Sequence, residues 1–291
     1  MAKDFFDRFA ASREAFEEAS EALGLDVAAL CFSDNPQLDL TEFTQPAILT
    51  AEIAMLRGLA AELGFRPGWF GGHSLGEYTA LCAAGVMPLG VAARVVRRRG
   101  ALMQAAVPAG AGAMAAVIAS GIADRAHTLE LGVDVANKNS AEQVVLSGST
   151  GAMAGATIRL EALLAGTEHE IIPLNVSAPF HSAMMRCIEP DLRAVLEDAS
   201  SHFVPERAKA VTSNLTGGFH DGTIAGLVLA LTKQASSPVE WIANMRALSG
   251  VARDVYEVGP NRPLAKFFRT LGLEVKPIVS VRTAEKALSA A

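Results

Sequence analysis

The chain has few cysteines, few aromatic residues and no excess of positive charge. Its 291 residues include three cysteines, Cys31, Cys82 and Cys187, with only two tryptophans and two tyrosines. The cysteines do not have the spacing of metal ligands, and an odd number does not suit a disulfide framework. We therefore expect free thiols in a reducing cytosol, hence a cytoplasmic protein, and no metal site built from cysteine.

Charge and hydropathy argue against two further classes of protein. The formal net charge is −6 and no long basic stripe is present, so no nucleic-acid partner is expected. Charged residues interrupt the first eight positions, so they do not form a signal peptide. Residues 100–123 are uncharged and long enough to cross a bilayer, but Pro108 and four glycines favour a helix end, a loop and a strand. No membrane partner is expected.

The composition suits one large domain, or one large domain with a small one. Hydrophobic residues make up 51% and charged residues 19% of the chain, which permits a sizeable core. Hydrophobic periodicity predicts an amphipathic helix over 3–23 and a second helix over 45–63. Residues 65–71 can hold a strand, and 74–85 are rich in small residues and helical. A strand, a glycine-rich turn and a helix are thus expected around Ser74.

Residues 112–177 have a different pattern, in which strands and helices are predicted in the order β-α-β-β-α-β. This order is that of the ferredoxin-like split motif. The predicted fold class is α/β. Residues 1–110 and 180–291 would form a large α/β-hydrolase-like catalytic domain with a mostly parallel sheet, and residues 111–179 a smaller inserted ferredoxin-like α+β subdomain.

The turn around Ser74 has the pattern Gly-x-Ser-x-Gly, in Gly72-His73-Ser74-Leu75-Gly76. In such a turn the serine backbone is strained, and the glycines relieve clashes with the neighbouring strand and helix. The amide of Leu75 would point to where an oxyanion forms, next to the positive end of the following helix. An ordinary turn is the alternative, but a strand before it and a helix after it favour a nucleophilic serine.

A nucleophilic serine needs a base, and the chain has six histidines. His73 is adjacent to Ser74, so its side chain leaves the turn in another direction. His181 follows an apolar strand at the junction of the two blocks, where a cleft between domains would lie. A structural role for His181 remains open at this point. The others have polar or charged neighbours and are interpreted as surface residues: His127, His169, His202 and His220.

One arginine falls on the apolar side of a predicted helix over 89–106. Arg99 lies in the middle of the apolar stripe, whereas Arg94, Arg97 and Arg98 fall on the opposite face and are interpreted as solvated. A buried arginine needs a carboxylate partner. That partner could belong to the protein or to a ligand.

Several segments in order resemble one known family over essentially the whole chain. They are residues 72–78, 97–100, 137–140, 177–182, 237–241 and 257–260. Together they resemble malonyl-CoA:acyl carrier protein transacylases and the related acyltransferase domains of polyketide synthases. The resemblance implies transfer of a malonyl group from malonyl-CoA to the phosphopantetheine thiol of an acyl carrier protein, in fatty-acid or polyketide synthesis, without a cofactor.

The resemblance also implies roles for individual residues. Ser74 and His181 would form a catalytic dyad without an acidic third member. A main-chain carbonyl orients the histidine, and Gln234 matches the position that supplies it, although a surface residue at a helix end is an equal alternative. Arg99 would hold the free carboxylate of the malonyl group with two hydrogen bonds.

Three further residues are expected to line the substrate site. Phe180 resembles a residue that malonyl-selective members carry, with simple core packing as a nearly equal alternative. Asn139 would face the coenzyme A side of the cleft, and His73 would border the bound substrate. The sequon Asn214-Leu215-Thr216 is set aside, because glycosylation does not occur in a cytosolic chain.

The sequence departs from the family pattern at its start. Family members usually begin with a strand and a Gly-Gln-Gly-Ser-Gln segment, whereas Met1 here leads directly into what would be the next helix. The resemblance therefore implies an absent strand and an absent glutamine beside the oxyanion site, with lower activity expected. A thioester hydrolase with the same dyad is the alternative function. Arg99 argues against it, because neutral acyl groups gain nothing from a buried cation.

Overall fold

The computed structural model describes residues 1–176 and 178–289, apart from the side chain of His127. The fold class is α/β, as predicted. The first half of the large part is helical, and its α-helices are α1 (Lys3–Arg8), α2 (Ala10–Leu23), α3 (Val27–Phe32), α4 (Thr41–Glu62), α5 (Leu75–Ala83) and α6 (Leu89–Ala105).

The predicted first helix is two helices, because the chain is extended at Phe9 (φ −114°, ψ 129°). The break lets the rings of Phe5 and Phe9 meet edge to face, 5.8 Å between centroids, with both rings buried. Ser12 interrupts the apolar face of the sequence pattern but is fully buried. Its Oγ donates to the carbonyl of Ala54 at 2.8 Å, so the α2–α4 contact satisfies it.

Helix α4 begins at Thr41, four residues before the predicted start, and contacts both α2 and α6. A Cβ on Gly100 would lie 2.5 Å from the carbonyl oxygen of Thr41, so glycine permits the close approach of α6 to α4. Of the arginines expected on the solvated face of α6, Arg94 and Arg98 are exposed. Arg97 instead donates to Leu23 O at 3.1 Å and contacts Glu42.

A four-stranded antiparallel sheet follows α6, in the strand order β2-β3-β1-β4. Its elements are β1 (Gly112–Ala119), α7 (Ile122–Arg125), β2 (Asp134–Ser140), β3 (Gln143–Ser149), α8 (Thr150–Leu163) and β4 (His169–Pro173). Val117, Val144, Leu146, Met153 and Leu160 are buried in one hydrophobic cluster between the sheet and α8. This small core is separate from the main core, which the helices of the large part form.

The chain then returns to the large part. The remaining elements are α9 (Glu189–Ala199), α10 (Ile224–Gln234), α11 (Trp241–Ser249), β5 (Val255–Val258), α12 (Ala265–Arg269), β6 (Val275–Ile278) and α13 (Val281–Leu288). Strands β5 and β6 pair in parallel. Their neighbours α11 and α12 share a third hydrophobic cluster around Trp241 and Phe268.

The expected mostly parallel sheet is not confirmed. Within the described ranges, parallel pairing is limited to β5 and β6 and to the isolated bridges Phe70–Val211 and Asn137–Val239. The strand predicted over 65–71 is reduced to Phe70. Pro67 has no N–H to donate and Gly68 has no side chain to pack, so the ladder cannot extend toward the N-terminus.

Residues 100–123 contain the end of α6, a loop and β1, as predicted. In the part of the chain that the structure describes, no helix combines the length and the apolar character that a membrane crossing requires.

Candidate active site

The turn before α5 has the strained geometry that its sequence predicts. Ser74 has φ 53° and ψ −108°, a backbone conformation that serine rarely adopts. A Cβ on Gly72 would lie 2.0 Å from the carbonyl oxygen of Gly76, so only glycine fits there. The main-chain N–H of Leu75 has no hydrogen-bond acceptor among the described residues, so it can donate to a ligand beside Ser74.

His181 lies next to the serine hydroxyl. Its Nε2 is 2.7 Å from Ser74 Oγ, and its Nδ1 is 2.8 Å from the main-chain oxygen of Gln234. Because a carbonyl can only accept, Nδ1 carries the proton and Nε2 is left as the acceptor. Burial, together with the positive charge of Arg99, lowers the pKa of His181 to about 3. The imidazole is therefore neutral and able to take a proton from the hydroxyl.

Arg99 is buried, at 1% exposure, and reaches the same hydroxyl. Its Nη1 donates to Gln45 Oε1 at 2.7 Å, and its Nη2 donates to Gln234 Oε1 at 2.9 Å and to Ser74 Oγ at 3.3 Å. Its Nε has no partner among the described residues. Within those residues the guanidinium is therefore bonded to amides and a hydroxyl, and the carboxylate partner predicted from the sequence is absent from its hydrogen bonds.

Gln234 connects these groups and is fully buried, so the alternative of a surface residue is wrong. Its main-chain oxygen faces His181 and its Oε1 faces Arg99. Its Nε2 donates to the main-chain oxygen of Ser74 at 2.9 Å and to Glu77 Oε2 at 2.6 Å. The residue at the end of α10 thus fixes the base, the cation and the nucleophile relative to one another.

A buried polar network under the turn was not predicted. It contains Glu77, Asn214 and His220, at 0%, 0% and 6% exposure. The interpretation of His220 as a surface residue is therefore wrong: its Nε2 lies 2.9 Å from Glu77 Oε1, although without the alignment of a hydrogen bond. Asn214 is inaccessible as a glycosylation site and accepts the N–H of Ser74 at 2.6 Å. Their burial depends on contacts between distant segments: Glu77 of α5 contacts both residues, and Asn244 of α11 contacts Asn214.

The residues expected at the substrate side come from both parts of the chain. His73 Nε2 is 2.8 Å from Asn139 Oδ1, so the turn and strand β2 meet there. Asn139 is 6% exposed and donates to Gln143 Oε1 at 3.1 Å, and the ring of His73 packs edge-on against Trp241. Phe180 is partly buried and packs against both the main core and a cluster on the sheet, so its packing does not decide between the two interpretations.

The remaining predictions concern residues away from Ser74. His202 is exposed and His169 is partly exposed, whereas the side chain of His127 and all of Ser177 lie outside the described residues. The cysteines are free, with Cys31 and Cys82 buried and Cys187 exposed. In the described ranges no three His, Cys, Asp or Glu side chains come together as a metal site.

Comparison with known proteins identifies the family of this chain. Residues 1–240 match the family model described as an acyl transferase domain. The malonyl CoA-acyl carrier protein transacylase of Bacillus subtilis strain 168 is 34% identical over 289 residues, covering 96% of this chain and 88% of that protein. The chain belongs to the malonyl-CoA:acyl carrier protein transacylase family. The Escherichia coli K12 transacylase is 37% identical over 275 residues, covering 91% and 85%.

Solved structures of transacylases from this family have the same fold. The malonyl CoA-acyl carrier protein transacylase of Clostridium perfringens superposes with a TM-score of 0.89 at 33% identity, covering 100% of this chain and 92% of that one. PlMCAT, a malonyl-transacylase in complex with its type II PKS acyl-carrier protein AntF, gives a TM-score of 0.90 at 32% identity, covering 100% and 95%.

Proposed function

We propose that this transacylase-family chain moves a malonyl group from malonyl-CoA to the phosphopantetheine thiol of an acyl carrier protein, through a malonyl ester of Ser74. The observation that carries this proposal is the buried guanidinium of Arg99, 3.3 Å from Ser74 Oγ and without a carboxylate among its hydrogen-bond partners. A malonyl thioester has a free carboxylate that would supply the missing partner. The PlMCAT complex, a relative bound to its carrier, supports an acyl carrier protein as acceptor.

The first half-reaction would acylate the serine. His181 Nε2 takes the proton of the Ser74 hydroxyl as Oγ attacks the thioester carbonyl. The N–H of Leu75 donates to the oxygen that becomes negative in the tetrahedral intermediate. When the carbon–sulfur bond breaks, the proton on His181 passes to the sulfur of coenzyme A. The products are free coenzyme A and malonyl-Ser74.

The second half-reaction would run the same steps with a new thiol. His181 takes the proton of the carrier's phosphopantetheine thiol, and the sulfur attacks the carbonyl carbon of the malonyl ester. The bond between this carbon and Ser74 Oγ then breaks, Oγ regains the proton from His181, and malonyl-carrier leaves. The enzyme ends unchanged and nothing is oxidised or reduced, so the proposed cycle needs no redox cofactor, and in this proposal His181 activates each nucleophile without a metal ion. Throughout, the Gln234 carbonyl would keep the Nδ1 proton of His181 in place.

Arg99 would hold the far end of the acyl group. Its Nη atoms are anchored by Gln45 and Gln234, which fixes the plane of the guanidinium, and its Nη2 faces Ser74 Oγ, where the acyl group would be attached. A carboxylate bound there neutralises a charge that burial otherwise makes costly. A hydrolase of neutral acyl groups would have no use for this cation, so transfer of a malonyl group is favoured over the hydrolase alternative.

The domain division fits the same proposal. We propose that residues 1–110 and 180–291 form the catalytic domain and that residues 111–179 form a ferredoxin-like subdomain, with the substrate cleft between them. The separate hydrophobic clusters of the two parts support this division, as does the contact between His73 and Asn139. The three free thiols support a cytoplasmic location.

Mass spectrometry after incubation with malonyl-CoA tests the proposed function. We expect one added malonyl group on Ser74 and none in Ser74→Ala, while the exposed Ser120→Ala behaves as wild type. Cys187→Ser removes the exposed thiol, which could exchange with a thioester directly. An adduct that persists in Ser74→Ala and disappears in Cys187→Ser would overturn the proposal.

The second half-reaction needs its own measurement. The malonylated protein is mixed with a phosphopantetheinylated carrier, and malonyl-carrier is compared with free malonate. Malonyl-carrier as the main product supports transfer. Free malonate formed at the same rate with and without carrier would identify a hydrolase instead.

A further inference from the structure

The side chain of Asn214 forms hydrogen bonds with the main chain of the turn around Ser74 at two points. Its Oδ1 accepts the main-chain N–H of Ser74 at 2.6 Å, and its Nδ2 donates to the main-chain oxygen of Gly72 at 2.8 Å. The side chain is fully buried, three residues after the isolated bridge that joins Val211 to Phe70. One side-chain amide therefore bonds to both peptide groups that flank His73, the one between Gly72 and His73 and the one between His73 and Ser74.

The two contacts with the turn fix the orientation of this amide on their own. Its Nδ2 also donates to Asn244 Oδ1 at 3.0 Å, and the main-chain N–H of Asn214 donates to Glu77 Oε2 at 3.1 Å. The N–H of Ser74 can only donate and the carbonyl of Gly72 can only accept. Exchanging the oxygen and nitrogen of the amide would therefore break both contacts with the turn.

We propose that Asn214 is a positioning residue that holds the Ser74 backbone in its positive-φ conformation, and thereby directs Ser74 Oγ toward His181 and the N–H of Leu75 toward the oxyanion. This inference rests on the proposed role of Ser74 as nucleophile. A strained residue keeps its conformation only when its surroundings over-determine it. The peptide N–H that Asn214 binds belongs to Ser74, the strained residue, and the second hydrogen bond holds the carbonyl of Gly72 two residues before it. Together they restrain the backbone on the N-terminal side of Ser74.

Asn244 provides a matched control. Like Asn214 it is fully buried, and it makes comparable hydrogen bonds, accepting from Asn214 and donating to the carbonyl of Ser213 at 2.8 Å. None of its side-chain hydrogen bonds reaches the turn. Both Asn244→Ala and Asn214→Ala should lower stability, because each removes a buried amide. Only in Asn244→Ala do the main-chain groups of Gly72 and Ser74 keep Asn214 as their hydrogen-bond partner.

The first test measures the reactivity of Ser74 with a reagent that carries no malonyl group, so the result does not depend on binding of the malonyl carboxylate. Wild type, Asn214→Ala and Asn244→Ala are labelled with phenylmethanesulfonyl fluoride, well below every melting temperature, and the rate at Ser74 is read by mass spectrometry. We expect Asn214→Ala to label about 10²-fold more slowly, the scale for a misplaced reacting group, and Asn244→Ala to stay within about threefold of wild type. In malonyl transfer, Asn214→Ala should lower kcat and leave KM for malonyl-CoA nearly unchanged.

A second variant makes the hydrogen-bond pattern depend on pH. Asn214→Asp keeps an acceptor for the N–H of Ser74, but its ionised carboxyl places an oxygen against the carbonyl of Gly72. Protonation restores a donor on that side. The labelling rate relative to wild type at the same pH should therefore rise as the pH falls from about 8 to about 5.5. Glu77 and His220 face the same space in both proteins, so the ratio corrects for their direct effect on the labelling rate.

The outcomes separate the two proposals. Slow labelling of Asn214→Ala with near-normal Asn244→Ala, together with recovery of Asn214→Asp at low pH, supports the positioning role. Equal labelling of wild type and Asn214→Ala, equal losses in both alanine variants, or a ratio independent of pH would overturn it. If Ser74 of the wild type were neither labelled nor malonylated, the proposed function itself would fail.

Discussion

Arg99 directs its guanidinium at the hydroxyl of Ser74, with 3.3 Å between Nη2 and Oγ, although Ser74 lies in the turn before α5 and Arg99 lies 25 positions later, in α6. The contact brings a buried cation to the point where an acyl group would be attached. The same charge lowers the pKa of His181, after burial the second cause of that shift. In the proposed mechanism, one arginine therefore acts on both acyl selectivity and the base.

Arg99→Ala should selectively reduce malonyl transfer. Removing one partner of a buried charge pair costs about 2–5 kcal/mol, so we expect a large fall in kcat/KM for malonyl-CoA. Transfer of an acetyl group, which has no carboxylate, should fall much less or rise. The measurement is the rate of Ser74 acylation by each thioester.

Arg98→Ala is the matched control for this variant, because Arg98 is the exposed neighbour on the same helix. Its rates with both thioesters should equal those of wild type. Equal losses of malonyl and acetyl transfer in Arg99→Ala would show that Arg99 supports only the fold.

The pH dependence of acylation should reflect the lowered pKa of His181. With a pKa of about 3, the base stays neutral, so the single-turnover rate should remain nearly flat from about pH 8 to about pH 5. An ordinary histidine would lose activity near its usual value of 6.5. His181→Ala should slow acylation by about 10²–10⁴-fold at every pH in this range.

Arg99→Gln should move the acid limb of that profile to higher pH. Removing a positive neighbour favours the protonated imidazole, so the pKa of His181 rises, while burial keeps it below 6.5. Acetyl-CoA serves as substrate here, so that loss of malonate binding does not obscure the profile. An unshifted limb would mean that the charge of Arg99 does not act on the base.

Gly72→Ala should destroy the geometry of the turn. The added Cβ would lie 2.0 Å from the main-chain oxygen of Gly76, and backbone cannot move aside as a side chain can. We expect a lower melting temperature and no detectable acylation of Ser74. Gly68→Ala is the control, since nothing lies within 4 Å of its Cβ and its stability should change by less than about 0.5 kcal/mol.

Local patterns allowed much of the site to be predicted. Gly-x-Ser-x-Gly predicts the strained turn because steric rules act between neighbours, and the apolar stripe of α6 places Arg99 in the interior because helix periodicity is local. The role of His181 could not be predicted from local pattern alone. Its position between the two predicted parts of the chain also allowed a structural role, and its assignment as the base came from the resemblance to the family. The 2.7 Å contact with Ser74 is formed only when distant segments pack.

What could not be predicted depends on packing between segments far apart in the chain. Asn214 and His220 are both buried beneath the turn, where Glu77 of α5 contacts both and Asn244 of α11 contacts Asn214. The sequence over 3–23 fits one periodic pattern, but the backbone is extended at Phe9 and divides the helix in two. The partners of Arg99 are glutamine oxygens from two other helices, and no pattern within α6 specifies them.

Glu52→Gln should stabilise the protein at high pH. Burial, with the nearby negative charge of Glu257, raises the pKa of Glu52 to about 7 from its ordinary 4.5. Between these values the folded state binds more protons than the unfolded state, so the free energy of unfolding falls as the pH rises through this window. Glutamine imitates the neutral carboxyl. We therefore expect a gain of roughly 1–3 kcal/mol at about pH 8 and little change at about pH 4.5, measured by urea unfolding. Glu62→Gln, an exposed position on the same helix α4, is the control and should show no such difference. A gain for Glu52→Gln that is the same at both pH values would contradict the titration of Glu52 and point to improved packing instead.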